Sequence, residues 1–404
     1  MISPDDELRE SMVAHKAGRF AEAEAGYRRV LEVRPADPKA MYYLGLLHHH
    51  RGDTVGAIGL LRRCLALAPS NAHAWNTLGG LHIAAEQPGE AREAYRRMTE
   101  AAPAMGEGWY NLGICLRDEG DIEGAMESLR ASVVNQPDYF RSYEALATLL
   151  YRLDRVSEAA EVYREWATRE PGNPTARHMA AATSQQNVPA RAADEYVRSL
   201  FDGSAKSFDA DLERLGYRAP KLVADALTTV LLSPSVGTPV VGTLLDAGCG
   251  TGLCGPLLRT RSVSLVGVDL SAQMIERARG RGCYDELVVA ELSAFMQSRA
   301  DAFDAIVSAD TLVYFGALEE PLAAARVALQ AGGWFVFTLE RKAVESEAEY
   351  GLGAHGRYWH AENYVQQAVV SAGFAIEVLA RETLREERGE PVAGLLVVAR
   401  LRVS

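Results

Sequence analysis

The chain has little cysteine, no excess of positive charge and no long apolar run, and each shortage narrows what it can be. Five cysteines, Cys64, Cys115, Cys249, Cys254 and Cys283, are odd in number and never take C-x-x-C spacing. Neither a disulfide framework nor a zinc site of paired cysteines is expected. Lysine and arginine number 42 against 54 aspartates and glutamates, a net charge of −12 with both halves negative. A chain that grips a phosphate backbone needs the opposite balance, so nucleic acid is not an expected partner. The longest late apolar run, Val392 to Ala399, falls far short of the roughly 20 residues that span a bilayer. Met1-Ile2-Ser3-Pro4-Asp5-Asp6-Glu7 lacks the basic and apolar parts of a signal peptide. A cytoplasmic protein with no membrane role is the expectation. His48-His49-His50 would point three ways from a helix, so no metal site is expected there.

What is present begins with length. At 404 residues the chain exceeds what one core usually serves, which implies more than one domain. Prolines fall at Pro35, Pro69, Pro103, Pro137 and Pro171, each 34 residues after the last. Alanines keep the same step at Ala23, Ala57, Ala91, Ala125 and Ala159, and small residues recur at Gly45, Gly79, Gly113 and Ala147. Two helices closed by a proline at this period resemble the tetratricopeptide (TPR) repeat. Frames of 38–71, 72–105, 106–139 and 140–173 follow, with a degenerate first repeat over 4–37, so 1–173 reads as an α-solenoid of about five repeats. Trp75, Trp109, Tyr143, Tyr95 and Tyr163 are its expected core knobs. Such arrays commonly hold a protein or peptide on the concave face, where Tyr42, His49, Asn76, Tyr110, Arg117, Arg141 and Tyr151 are candidates.

After a connector at 174–192, the stretch Leu244-Leu245-Asp246-Ala247-Gly248-Cys249-Gly250-Thr251-Gly252 empties an apolar run into three alternating glycines. Ser264 to Ser271 repeats the apolar run and ends in Asp269, an acid placed to meet a ribose diol. G-x-G-x-G differs from the dinucleotide fingerprint G-x-G-x-x-G. Over about 240–340 these residues resemble motif I of the class I S-adenosylmethionine (SAM) methyltransferases.

That resemblance implies an α/β Rossmann-like fold over 240–404 with a C-terminal antiparallel hairpin, connector and lid helices over 174–239, and SAM as methyl donor with S-adenosylhomocysteine as product. It places Gly248, Gly250 and Gly252 under the methionine part of SAM and Asp246 beside its amino-acid end. Asp269 would take the ribose and Glu291 the adenine amine, with Leu270 and Leu292 next to them. Met274 would pack on the adenine or in the core. Asp310 joins the acids around the crevice. Strands are expected at 286–290, 303–309, 333–339, 374–380 and 392–403, the last two joined by a polar turn at 385–390.

Phe208, Tyr217 and Tyr314 are candidate substrate or lid residues, from polar-aromatic segments at 201–218 and after the fourth strand. A second such segment, 341–360, offers Tyr358, His355 and His360 near the methyl group. His355 or His360 is either a general base or a histidine packed beside Trp359. The expected activity is SAM-dependent methyl transfer to a protein, peptide or biosynthetic small molecule recruited by the array. The alternative is a non-catalytic TPR scaffold with a SAM-sensing domain. Neither the acceptor nor the oligomeric state follows from the sequence.

Overall fold

The computed structural model describes residues 2–232, 240–342 and 348–403. Two compact units divide the chain, Met1–Arg169 and Glu170–Ser404. Positions 233–239 of the expected connector and 343–347 of the expected late insertion lie outside the described residues.

The first unit is built of helix pairs. α1 (Pro4–Lys16) packs on α2 (Phe20–Val33), α3 (Pro38–His50) on α4 (Thr54–Leu67), and α5 (Ala72–Ala84) on α6 (Pro88–Ala101). α7 (Gly106–Asp118) with α8 (Ile122–Asn135) and α9 (Arg141–Arg152) with α10 (Val156–Arg169) complete it. Every second helix stops two residues before one of the periodic prolines. A proline ring crowds the α conformation of the residue before it, so the proline beat sets these ends. The starts of α3 and α5 are set by capping: Asp37 and Asn71, one period apart, accept from the amides of Ala40 and Ala74 at 2.9 and 3.1 Å.

All five periodic alanines are fully buried. A Cβ on Gly79 would stand 2.5 Å from the Tyr95 ring, and one on Gly113 2.9 Å from Leu129. Glycine at these positions is what lets the paired helices touch. Tyr95, Tyr143 and Tyr163 are buried as expected of knobs, and Trp75 and Trp109 pack half-buried against the cores of their repeats. Their indole N–H groups also donate to the carbonyls of Pro69 and Pro103, both at 2.8 Å. These two tryptophans therefore tie the starts of α5 and α7 to the prolines just before them.

In the second unit, α11 (Pro174–Ser184) occupies most of the segment expected as a connector, because Asn173 caps it and Pro174 suits its first turn. α12 (Asp194–Ser204), α13 (Phe208–Arg214) and α14 (Ala219–Leu231) follow. β1 (Val241–Ala247), β2 (Ser262–Asp269), β3 (Glu286–Val289), β4 (Phe303–Ser308) and β5 (Leu329–Arg341) then form a parallel sheet in the order β3-β2-β1-β4-β5. α15 (Gly255–Leu258), α16 (Ala272–Gly280), α17 (Leu292–Gln297) and α18 (Glu319–Ala328) lie between these strands in the chain. β6 (Tyr350–Leu352) and β7 (Tyr358–His360) are short additions, with β7 parallel to the end of β5. After α19 (Glu362–Ser371), β8 (Phe374–Glu387) and β9 (Glu390–Leu401) close the sheet, β9 running antiparallel to both β5 and β8.

Period-two alternation explains how the sheet is covered on both faces. Phe335, Phe337, Leu395 and Val397 enter one core with Val365 and Phe374, while Val336, Leu396 and Val398 enter another with Val223 and Leu227. The hairpin differs from expectation. Its turn is only Arg388-Gly389, both at positive φ (55° and 81°), and Arg385 to Glu387 lie on the strand. A two-residue turn with left-handed residues matches strand twist, so both strands extend to its edge.

Close helix contact at Gly79 makes a direct test. Gly79→Ala should lower the stability of the array by about 1–3 kcal/mol through overpacking against Tyr95, read as a drop in denaturant midpoint.

Candidate active site

The carboxyl ends of β1, β2 and β4 converge where the glycines begin. Gly248 and Gly252 take φ of 79° and 83°, and a Cβ on Gly248 would stand 2.2 Å from the Thr311 hydroxyl. Only glycine serves both the backbone conformation and that approach. Thr311, just past β4, donates its hydroxyl to the Gly248 carbonyl at 3.2 Å. At the tip of β2, Asp269 accepts from the Gly250 amide at 2.9 Å and the Ser271 amide at 2.8 Å. Burial raises its pKa against those two amides.

Gly248, Gly250, Asp269, Leu270, Glu291, Leu292 and Asp310 line a single cavity of about 230 Å³, as do the lid candidates Phe208, Tyr217 and Tyr314. Glu291 is already engaged. Its carboxylate caps α17 through the amides of Ser293 and Ala294, at 3.0 and 2.7 Å, and takes Arg191 at 3.0 Å.

α12 and α13 are pinned to the glycine side of this cavity. Thr251 donates to Asp209 at 2.5 Å, Arg281 donates to Asp209 at 2.6 Å, and Ser271 donates to Asp202 at 2.5 Å. Phe201 meets Phe208 and Tyr314 edge-on, with centroids 5.8 and 5.5 Å apart.

Six expected residues lie off the cavity wall. Gly252 packs against Tyr284 and Ala278. Asp246 is fully buried and accepts the Tyr284 hydroxyl at 2.6 Å, while its Oδ1 has no partner among the described residues. Met274 is fully buried on α16, a core methionine outside the cavity lining. Tyr358 is fully buried and donates to the Pro189 carbonyl at 2.8 Å. His360 is fully buried on β7, bonded through Nε2 to the Gly316 carbonyl at 3.1 Å and stacked on Tyr364. Burial drops its pKa to about 4, leaving a neutral packing residue that is in no position to act as base. His355 sits 3.4 Å from Glu340 and accepts from the Arg357 amide at 3.2 Å. Burial, then Arg357, also lowers its pKa to about 4.

In place of histidines, the far wall carries an ionic cluster of which the sequence singled out only Asp310. Arg357 donates to Glu340 at 2.5 Å and Glu387 at 2.6 Å. Arg385 donates to Glu387 at 2.7 Å and also to Asp310 and Glu340. Burial opposes ionisation of Glu387, but Arg357 and Arg385 outweigh it and hold the carboxyl at about 2. Reading Arg388-Gly389 as a two-residue turn would have put Arg385 and Glu387 at the end of β8, the strand paired with β9. Arg191, also on the wall, gave no such signal.

Residues 245–337 match the family model of a methyltransferase domain, and 8–72, 76–140 and 127–174 match that of a tetratricopeptide repeat. The malonyl-[acyl-carrier protein] O-methyltransferase of Geobacter sulfurreducens is 30% identical over 200 residues, 45% of this chain and 71% of that protein. The chain belongs to the class I methyltransferases. Its methyltransferase domain is also similar to human methyltransferase-like protein 27, at 37% identity over 27% of this chain and 43% of that one. The mouse mitochondrial ubiquinone biosynthesis O-methyltransferase is 26% identical over 43% of this chain and 48% of its own length. The chain thus spans less than half the length of these two relatives. Among the described residues no helix of the methyltransferase is long and apolar enough to cross a membrane, and no group of three metal-binding side chains gathers.

Asp246 yields a pH prediction. Burial pushes its carboxyl up to about 7, well above an unfolded aspartate near 3.9. The folded chain therefore holds a proton that the unfolded chain has lost between about pH 4 and 7. Its contribution is most favourable below that window and falls as pH rises through it. Asp246→Asn keeps an acceptor for Tyr284 and should flatten this fall, seen as a shallower loss of melting temperature from pH 4 to 7.

Proposed function

We propose that the chain transfers a methyl group from SAM to an oxygen acceptor recruited or presented by the TPR array. The observation that carries this reading is the glycine loop wrapped around Asp269 at the cavity wall. Gly250 keeps its cavity side open, with nothing but the Phe208 ring at 4.0 Å from where a Cβ would stand. The helix after the loop is a single turn, Gly255–Leu258. The wall's three cations, Arg191, Arg357 and Arg385, all pair with carboxylates, which leaves none set aside for a pyrophosphate. A sulfonium nucleoside suits such a cavity better than a dinucleotide does.

Bound there, SAM supplies a methyl group already activated for displacement. The protein's share is to orient and to keep water out. Asp269, held by two amides, has lone pairs left for the ribose hydroxyls. Gly248 and Gly250 let the amino-acid end approach the main chain. Phe201, Phe208, Tyr217 and Tyr314 exclude solvent from the reacting end. The relatives named malonyl-[acyl-carrier protein] and ubiquinone biosynthesis O-methyltransferase favour oxygen as the methylated atom.

For the array, a polar ladder supports a peptide or protein ligand. Asn111 donates to Asn76 at 2.9 Å, Asn76 donates to Glu107 at 3.0 Å, and Arg141 lies over Tyr110 at 4.9 Å. Of the other candidates, Tyr42 stacks edge-on with Tyr43.

Calorimetry on the full chain tests the cofactor site. S-adenosylhomocysteine should bind, and Asp269→Ala should weaken it at least tenfold, since losing a charge-assisted hydrogen bond costs about 1.5–3 kcal/mol. A preference for NAD would overturn the reading. For the array, the double variant Asn76→Ala, Asn111→Ala should bind S-adenosylhomocysteine normally while methylating its native acceptor at least tenfold more slowly. Unchanged methylation would remove the ladder from acceptor recruitment.

A further inference from the structure

Asp310 is built unlike a packing residue. It follows β4, directly before the threonine that bonds the Gly248 carbonyl, so the backbone places it beside the glycine loop. It is not glycine, yet it takes a left-handed φ of 57°, and the Thr338 hydroxyl holds its amide there at 2.9 Å. Aspartate tolerates this left-handed region better than most side chains, and here it fixes the direction in which the carboxylate leaves the backbone. Its carboxylate lines the cavity with 12% exposure. Oδ2 is taken by Arg385, but Oδ1 has no partner among the described residues. A buried acceptor left unpaired costs stability, and a donor arriving with a ligand would relieve it.

We propose that Asp310 is the general base of the methyl transfer and that the acceptor atom is a hydroxyl on an aromatic or enolic carbon. This rests on reading the cavity as a SAM site. Asp310 accepts the hydroxyl proton as the oxygen's electron pair forms the new bond to the methyl carbon. The carbon–sulfur bond breaks, its electrons return to the sulfur as a neutral thioether, and the proton stays on Asp310 until solvent removes it. A carboxylate acceptor would need no base, being already ionised. An unactivated alcohol would be too weak an acid for this one. The apolar lining by Phe208, Leu212, Leu215 and Phe315 suits a planar acceptor.

The charges around Asp310 suit the role. Arg385 and Glu387 reach it from β8, Glu340 from β5, Arg357 from the turn before β7, and Tyr217 and Tyr314 line the same cavity and feel its charge. Burial raises its carboxyl, Arg385 draws it back, and it settles at about 6. Such a group is ionised at neutral pH and still basic enough to take a proton. The rate should therefore fall as pH drops through about 6.

The test uses the full chain, methyl-labelled SAM and a panel of substituted phenols beside aliphatic carboxylic acids. Expected are alkali-stable methyl ethers from phenols, a rate limb near pH 6, and at least a hundredfold slower transfer by Asp310→Asn without that limb. S-adenosylhomocysteine affinity of Asp310→Asn, by calorimetry, should stay within twofold of the parent. A tenfold loss of that affinity would make Asp310 a cofactor contact and overturn the proposal. Alkali-labile esters, or transfer to no phenol, would overturn the hydroxyl acceptor. Should Asp310→Asn fail to fold, carbon-13 carboxyl resonances of the parent decide: titration near 6 supports the base, and titration below 4 overturns it. A parent that binds no S-adenosylhomocysteine would sink the SAM reading itself, a distinct failure.

Discussion

The guanidinium of Arg385 is the point on which the catalytic unit turns. Its side chain is 4% exposed, and its three nitrogens meet carboxylates from three places in the fold: Asp310 after β4, Glu340 on β5 and Glu387 on its own strand. A buried cation with one partner would be a liability, since desolvation outweighs a single pairing. With three acids and Arg357 beside them, the cluster becomes a rivet between the end of the parallel sheet and the hairpin that closes it. The rivet also fixes the wall of the cavity. Removing one member would leave the others buried and unmatched, which typically costs about 3–5 kcal/mol.

The opposite wall is made differently. α12 and α13 are held over the glycine loop by hydrogen bonds from Ser271, Thr251 and Arg281 to Asp202 and Asp209. Both carboxylates are exposed, and their bonds are weaker and easier to exchange than the Arg385 cluster. One wall is thus rigid and charged, the other held by bonds that can open.

How much of this was written in the residue order depends on the kind of information. The proline step marks helix ends because sterics act on the neighbouring residue alone, and the two-strand motif marks β1 and β2 because a glycine turn is local. Trp75 was legible only in part, because a large aromatic at a repeated position looks the same whether it only packs on a core or also ties a carbonyl. His360 and Met274 were left open between a site role and packing for the same reason: a residue type states what chemistry is available, not whether burial has already consumed it. Glu291 reads as an adenine-side acid by position but also caps α17, a role set by the helix that follows. The Arg385 cluster was hidden because its members come from positions 310, 340, 357, 385 and 387, and their meeting depends on the closed hairpin.

The periodic prolines have a consequence for how such a chain can change. Each helix pair begins and ends at the same points of the repeat, and each touches chiefly its neighbours. A duplication or deletion of one 34-residue unit in the gene would rejoin identical seams, a proline stop meeting the next helix start. The number of repeats can therefore drift across generations while the sheet and its ionic rivet stay untouched. Array length and the cavity wall are, in this architecture, separately heritable.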